Sequence, residues 1–331
     1  MVILQQMRKD PVSDRWVIIA QDRALRPGAG KKVVAQKSND DHCPFEPGME
    51  QETPGSRLVY EKDGRWTLRV VDNKYPALSV QEPFVEKTRG VYVSSQGYGY
   101  HEVVIESPDH EEKIWSMKPQ KLDEIITAYI QRSIEISCDK NIKYIQIFKN
   151  YGRQAGATID HPHSQIVATP TVPVSTSYEL KGAERYYKDN KKCVFCDILA
   201  QEESEEERII FQNPGFIAFE PFASRFPYET WIMPRNHSDS FLCLRDDGQS
   251  VRNLSYALKG SFELLYRLLG DFPFNLVLHT SPFCSETQRY YHWYFEIIPR
   301  LYNLAGFEWG TGYNINSIPP EKAAYELKSL K

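Results

Sequence analysis

The chain has 331 residues, 41% of them hydrophobic, and a formal net charge of −4. This length and composition predict two domains of ordinary size with full apolar cores. The negative charge excludes the global basic field that non-specific nucleic-acid binding uses, and no apolar run approaches the roughly 18 residues that span a bilayer. The N-terminus, MVILQQMRKDP, is too short and too charged for a signal peptide. We therefore expect a soluble, cytoplasmic protein whose partners include neither nucleic acid nor membrane.

The first half of the chain predicts strands, loops and one long helix. Apolar runs and turn residues indicate strands near residues 17–20, on both sides of the Asp63-Gly64 turn, at 100–106 and at 144–148, and a helix over about 119–137. The first strand leads to Arg23 and Arg26 in a loop. The planar guanidinium group suits phosphate, although arginines at a surface are commonly only solvated.

The stretch HPHSQIVATP at residues 161–170 predicts a strand that carries His161, His163 and Gln165 on one face. A neutral imidazole can act as a metal ligand, a general base or a covalent nucleophile, and a glutamine two residues further on can hold an oxygen of the group that is attacked. The alternative is a pair of partly buried, hydrogen-bonded histidines. A lone H-x-H does not separate these interpretations.

The second half repeats the order of elements found in the first. After a charged segment at 181–192, it predicts strands near 208–220, 230–233, 274–279 and 290–298 and a helix over about 251–269. One offset of 131 residues places His161, His163 and Gln165 over His292, Tyr294 and Glu296. We therefore expect two copies of one α+β unit, in domains of residues 1–185 and 186–331.

The second copy contains the donor set of a closed tetrahedral zinc site: Cys193, Cys196, His237 and His292. Six cysteines are too few for a disulfide scaffold in a chain of this length, and clustered cysteines in a reducing compartment indicate metal. Free thiols and core histidines are the alternative. Because a structural metal lends its binding energy to folding, we expect the second copy to depend more on metal than the first.

The first copy has a related set with a carboxylate in place of one thiolate: Cys43, Glu46, His110 and His161. Oxygen can ligate zinc, so a weaker or different metal site is one expectation. Loss of the metal is the other. The residues alone therefore predict one zinc ion and leave a second open.

Stretches along nearly the whole chain resemble one family. They read RKDPVSDRWVII, CPFEPG, DNKYPAL, YHEVVIESPDH, GATIDHPHSQ, FPYETWIMPRNH, HWYFEIIPR and AGFEWGTGYNIN. Together they resemble the family of galactose-1-phosphate uridylyltransferase and ADP-glucose phosphorylase, in the histidine-triad superfamily. The resemblance implies two tandem histidine-triad-like units, each a mostly antiparallel sheet with packed helices.

The resemblance also implies a ping-pong mechanism with His163 as nucleophile. The imidazole would take the nucleotide from a nucleoside-diphosphate sugar, release a sugar 1-phosphate, and pass the nucleotide to a second sugar 1-phosphate or to inorganic phosphate. A carbonyl near His161 would hold the other ring nitrogen, and Gln165 would donate to a phosphoryl oxygen. Further substrate contacts would come from Arg23, Arg26, Asn73, Lys74, Asn150, Gly156, Ala157 and Thr158.

The first specific assignment by resemblance is uridylyl transfer to galactose 1-phosphate. ADP-glucose phosphorylase is the alternative, because the same histidine serves adenylyl transfer and the residues do not name the base. A catalytically silent nucleotide-binding protein is an alternative from another class. It predicts loss of the nucleophile in both halves, whereas His163 and Gln165 are present in the first.

The sequence departs from the family pattern at Glu46 and Tyr294. Glu46 replaces a cysteine of the first metal site. Tyr294 removes the nucleophile equivalent from the second half, so only the first half should be catalytic. The same tyrosine argues against an iron-type centre on Glu179, His279 and His292. The C-terminal AGFEWGTGYNIN predicts a glycine-punctuated loop that, by resemblance, closes over the sugar from a partner subunit, which implies a homodimer.

Overall fold

The computed structural model describes residues 5–25, 33–35 and 42–330 of the chain. The strands in this part are β1 (Gln6–Lys9), β2 (Trp16–Ile19), β3 (Ser56–Lys62), β4 (Arg65–Asp72), β5 (Glu86–Arg89), β6 (Tyr92–Ser95), β7 (Tyr100–Ile105), β8 (Tyr144–Tyr151), β9 (His163–Thr169), β10 (Ile209–Gln212), β11 (Phe216–Phe219), β12 (Thr230–Pro234), β13 (Phe274–His279), β14 (Tyr294–Pro299) and β15 (Asn314–Asn316). The α-helices are α1 (Pro119–Ser137), α2 (Val174–Asn190), α3 (Val194–Glu205), α4 (Gly248–Leu269), α5 (Gly306–Thr311) and α6 (Pro320–Lys328). Arg26, one of the predicted phosphate contacts, lies outside the described residues.

Ten strands form one antiparallel sheet in the order β10-β11-β12-β14-β13-β8-β9-β7-β4-β3. The two halves of the chain meet at its centre, where β13 pairs with β8 and Phe274 lies opposite Tyr151. A smaller sheet joins β1, β2 and β15, and β5 and β6 form a separate two-stranded sheet. The expected α+β class with mostly antiparallel sheets is therefore confirmed, and both copies share one continuous sheet. Among the described residues, no helix is long and apolar enough to cross a membrane.

Two long helices, α1 and α4, pack against each other and cover one face of this sheet. Pro119 starts α1, where its fixed φ suits a first helical turn. The Asp247 side chain caps α4 by accepting the backbone N–H of Ser250 at 2.9 Å. Side chains such as Leu122 and Phe262 are fully buried beneath the helices, and each buried apolar side chain of this size contributes roughly 1.5–3 kcal/mol.

The alternation of β9 determines which side chains face away from the helices. Ser164, Ile166 and Ala168 are buried on the helix side, where Ile166 and Ala168 join the main core. Because successive strand residues point to opposite faces, His163 and Gln165 lie on the other face. The sheet therefore has one face covered by α1 and α4 and a second face that carries His163 and Gln165 beside smaller apolar clusters.

The strand registers confirm the internal repeat. In the first half, neighbouring residues on β4, β7 and β9 form the row Val71, Val103 and Gln165. In the second half, β11, β12 and β14 form the row Phe219, Trp231 and Glu296. The two rows join at the centre of the sheet, where Phe148 pairs with Gln165, Val277 pairs with Glu296, and Phe148 pairs with Val277. Gln165 and Glu296 therefore hold equivalent places, as the offset predicts, and Tyr294 stands where the first half has His163.

Several predicted boundaries differ from the structure. The strand at the histidine stretch begins at His163, so His161 precedes β9, and β14 begins at Tyr294, four residues later than predicted. The charged segment at 181–192 belongs mostly to α2. Only Thr176, Gly182 and Ala183 of that helix are buried, so the sequence lacks the apolar periodicity that would predict a helix there. The division of the chain at residue 185, within α2, stays a prediction.

The prediction of a loop in the C-terminal glycine-rich stretch is wrong. This stretch forms α5 and β15. Gly306 and Gly310 lie within the short helix, and Gly312 ends it with a φ of +72°. A left-handed residue after a last helical turn is where glycine is favoured. The glycines therefore permit a helix end rather than a long flexible segment.

Candidate active site

A cleft of about 420 Å³ opens on the face of the sheet that carries His163 and Gln165, over β4, β7 and β9. Five of the predicted catalytic and substrate-binding residues line it: Asn73, Lys74, Thr158, His163 and Gln165. The segment at 42–45 forms another wall, and its Phe45 ring packs edge-on against His163, with ring centroids 5.5 Å apart. The structure therefore brings together residues as far apart in the chain as Phe45 and His163.

His163 is held in one tautomer by the chain next to it. Its Nδ1 lies 2.9 Å from the backbone carbonyl of His161, so Nδ1–H donates and Nε2 is the nitrogen left for the cleft. Burial lowers the pKa of His163, and the backbone hydrogen bond opposes this shift. The ring is therefore neutral near pH 7, with a lone pair on Nε2 that can attack an electrophile.

A buried ion pair supports His163 from below, and it was missed in the sequence. Lys149 Nζ lies 2.6 Å from Glu106 Oε2 and donates to the backbone carbonyl of His163 at 3.1 Å. Tyr129 donates to Ser164 Oγ at 2.7 Å from the same side. A lysine within the apolar strand β8 was the one signal for this pair, since a buried cation needs a partner.

His161 belongs to a cluster of metal-ligating side chains. The ligand atoms of Cys43, His110 and His161 lie within 4.8 Å of one another. His161 Nε2 donates to the Ser107 carbonyl at 2.7 Å, while its buried Nδ1 has no hydrogen-bond partner among the described residues. Burial lowers the pKa of His161 to about 4, which keeps the ring neutral. These donors fit a metal ion, and Glu46, with Oε1 3.1 Å from His110 Nδ1, is a candidate fourth ligand.

The second predicted metal cluster is also assembled. The ligand atoms of Cys193, Cys196, His237 and His292 lie within 4.8 Å of one another. Cys196 Sγ is 3.2 Å from His237 Nδ1, and His237 Nε2 donates to the Gln288 carbonyl at 2.6 Å. A carbonyl on the far nitrogen is the usual support for a metal-ligating histidine. Two thiols and two imidazoles in this arrangement fit zinc.

The other predicted substrate contacts lie outside the lining described for the cleft: Arg23, Asn150, Gly156 and Ala157. Asn150 is nonetheless held in place by a residue of the second half. Asn275 Nδ2 donates to Asn150 Oδ1 and to the Ala155 carbonyl, both at 2.8 Å. Asn275 was missed because its contacts cross from β13 to β8. The substrate contacts of these four residues stay predictions.

The equivalent position in the second half has no imidazole nucleophile. Tyr294 is buried there, stacked on His279 at 4.3 Å and on Trp231 at 4.5 Å. Burial disfavours a charged His279, but Glu179 and Glu296 outweigh it and raise the pKa of His279 to about 10. His292 lies instead in the Cys193 cluster. His279, Glu179 and His292 thus belong to two different groups.

A larger cavity of about 870 Å³ lies beside β1, α3 and β11. Its arginines are already paired, Arg8 with Glu321 at 2.8 Å and Arg208 with Glu202 at 3.0 Å. The smaller cleft instead combines the neutral imidazole of His163 with the side-chain amide of Gln165 and the ammonium group of Lys74. We therefore take the smaller cleft as the candidate active site.

Comparison with known proteins gives consistent matches over the full length. The family model for the N-terminal domain of galactose-1-phosphate uridyl transferase matches residues 1–173, and a model of a domain of unknown function matches 116–329. The chain is 38% identical to ADP-glucose phosphorylase of Arabidopsis thaliana, over 98% of this chain and 93% of that one. It is 28% identical to galactose-1-phosphate uridylyltransferase of Thermotoga maritima, over 99% of both chains.

A solved structure of the Arabidopsis ADP-glucose phosphorylase with bound ADP-glucose superposes with a TM-score of 0.85. The two sequences are 35% identical there, and the match covers 99% of this chain and 100% of the other. The fold and these matches thus define a nucleotidyltransferase of the histidine-triad superfamily. The chain belongs to the galactose-1-phosphate uridylyltransferase family.

Proposed function

We propose that this protein moves a nucleotidyl group from a nucleoside-diphosphate sugar to a phosphate acceptor through a covalent intermediate on His163. The observation that carries the proposal is the fixed tautomer of this residue. Its Nδ1–H is occupied by the His161 carbonyl at 2.9 Å, and its Nε2 is available to the cleft. An imidazole prepared in this way is a nucleophile without a separate base.

In the first half-reaction, His163 Nε2 attacks the α-phosphorus, and the bond to the sugar 1-phosphate oxygen breaks with its electron pair. The positive charge that develops on the ring is stabilised by the Nδ1–H donation to the His161 carbonyl. Gln165 donates to a phosphoryl oxygen, and Lys74 lies in the same cleft to offset its charge. In the second half-reaction an acceptor phosphate oxygen attacks the phosphorus, the P–N bond breaks, and His163 returns to its neutral form.

We propose ADP-glucose as the donor and inorganic phosphate as the acceptor. Support comes from the 38% identity to ADP-glucose phosphorylase, which exceeds the 28% identity to the Thermotoga uridylyltransferase. Uridylyl transfer between sugar 1-phosphates is the second candidate, because that enzyme also matches over 99% of both chains. Both candidates use the same histidine and differ in base and acceptor.

We further propose zinc at both cysteine and histidine clusters. Metal on His161 Nδ1 and the Ser107 carbonyl on Nε2 would fix this ring on both sides. The His161 carbonyl orients His163, so the first cluster would support the nucleophile without touching the substrate. The second cluster would serve folding, because its four donors leave no open position.

A homodimer is part of the proposal. Phe307 and Trp309 on α5 are 45% and 76% exposed, and large exposed aromatic side chains are typical of interfaces. Sedimentation of the purified protein tests this point. A mass of a single chain at micromolar concentration would contradict it.

The donor and acceptor are tested by product analysis. The protein is incubated with radiolabelled ADP-glucose or UDP-glucose, with either phosphate or galactose 1-phosphate as acceptor. We expect labelled ADP from ADP-glucose and phosphate. Labelled UDP-galactose from UDP-glucose and galactose 1-phosphate would instead assign uridylyl transfer, and no product from any pair would contradict the proposed function.

A further inference from the structure

The amide of Gln165 has a neighbour that fixes its orientation. On β7, Val103 lies opposite Gln165 of β9, and strand alternation places His101 on the same face as Val103. His101 Nε2 lies 2.8 Å from Gln165 Oε1, across 64 residues of sequence. The ring is half-buried beside the cleft.

The backbone determines the tautomer of His101. The N–H of Ala77 points at His101 Nδ1 at 3.0 Å. A backbone N–H can only donate, so Nδ1 must accept and a neutral ring then carries its proton on Nε2. That N–H donates to Gln165 Oε1. Asn73 Nδ2 is also 3.1 Å from Nε2, but two donors face each other in this contact, and Asn73 Oδ1 is already taken by the N–H of Tyr75 at 2.9 Å.

An amide with its oxygen engaged presents its NH₂ on the other side. For Gln165 that side is the cleft that holds His163. The rotated amide would offer an oxygen to the phosphoryl group and repel its negative charge. A hydrogen bond to Oε1 therefore selects the one orientation that can stabilise a phosphoryl oxygen.

We propose that His101 is a positioning residue: it holds the Gln165 amide with its NH₂ toward the phosphoryl group transferred to His163. This inference rests on the proposed function and adds to it a residue that does not touch substrate. The Asn73–Ala77 segment sets the tautomer, so the wall of the cleft and the Gln165 donor are connected through one imidazole.

The test is the single-turnover rate at which label from the nucleotide donor appears on the protein. We expect His101→Ala to slow this step about 10- to 100-fold, the range that a misplaced catalytic group typically produces. His101→Gln keeps an N–H donor and should retain most of the rate. Tyr100→Phe is the matched control, because this neighbour on β7 reaches Asp139 at 3.3 Å rather than Gln165, and its rate should not change.

A double-mutant comparison separates positioning from general damage. In a Gln165→Ala background, His101→Ala should cause no further loss, because there is no amide left to orient. An equal loss in both backgrounds, or no loss in the wild-type background, would overturn the inference. Labelling of the wild-type protein tests the proposed function independently, so failure of one is distinguishable from failure of the other.

Discussion

Replacing Lys149 by methionine should destabilise the protein strongly, because it leaves a buried carboxylate without its partner. The side chains of Lys149 and Glu106 are 4% and 2% exposed, and Nζ lies 2.6 Å from Oε2. Lys149→Met removes this ion pair and also the donor that holds the His163 carbonyl. Both losses fall at the start of β9, directly beneath the candidate nucleophile.

The magnitude follows from the burial of the pair. Breaking a buried pair from one side costs about 3–5 kcal/mol, whereas replacing both charges is often close to neutral. We therefore expect Lys149→Met to lower the free energy of unfolding by about 3–5 kcal/mol. The double variant Glu106→Gln/Lys149→Met should recover most of the free energy of unfolding that Lys149→Met loses. Lys188 pairs with Glu184 at the surface, 66% and 43% exposed, and Lys188→Met should shift the unfolding midpoint far less than Lys149→Met.

Urea titrations monitored by circular dichroism measure these differences as shifts of the midpoint. The three variants are compared under one set of conditions, with metal content held equal. A loss for Lys149→Met no larger than that for Lys188→Met would refute the argument from burial. A double variant as unstable as the single one would show that lost packing, rather than an unpaired charge, sets the cost.

Three further predictions concern the second half, the metals and residues 150–157. The pKa of His279 is raised to about 10 in the folded protein. Its contribution to the free energy of unfolding is therefore fully present below the pKa of about 6.5 in the unfolded chain and is lost as pH rises through 10. His279→Gln should therefore lower the melting temperature most at pH 6 and least at pH 10, and a pH-independent loss would contradict the ion-pair account. Metal analysis should give about two zinc ions per chain, with Cys196→Ser and Cys43→Ser each removing about one; one ion in the wild type, unchanged by Cys43→Ser, would contradict metal at the first cluster. Asn275→Ala removes the two hydrogen bonds that its amide donates to Asn150 and Ala155, so amide hydrogen exchange in residues 150–157 should rise while β9 stays protected. Unchanged exchange would contradict this support.

The sequence predicts elements best where one face is strongly apolar. The bounds of α1 and β13 agree with the predicted ranges, because their buried side chains recur with a clear period. The predicted set of two cysteines and two histidines also placed Cys193 and His292 in one cluster, and the structure brings them together. By contrast, α2 buries few side chains, so its sequence shows no apolar stripe from which the helix could be predicted.

Contacts between distant residues are what the sequence does not reveal. Asn150 and Asn275 lie 125 positions apart and meet only because β8 and β13 join the two halves. His101 looks like an ordinary strand residue until Ala77 and Gln165 are placed on either side of its ring. The histidine stretch and the family resemblance single out His163 in the sequence, whereas the contacts of Lys149 and His101 around it depend on strand register.

The most direct test of the account is the site of the covalent intermediate. The protein is mixed with the nucleotide donor without acceptor, quenched at alkaline pH, digested and analysed by mass spectrometry. We expect an acid-labile nucleotidyl group on His163, absent in His163→Ala and retained in Tyr294→Phe, the equivalent position of the second half. A nucleotide on another residue, or turnover by His163→Ala at the wild-type rate, would contradict the central claim.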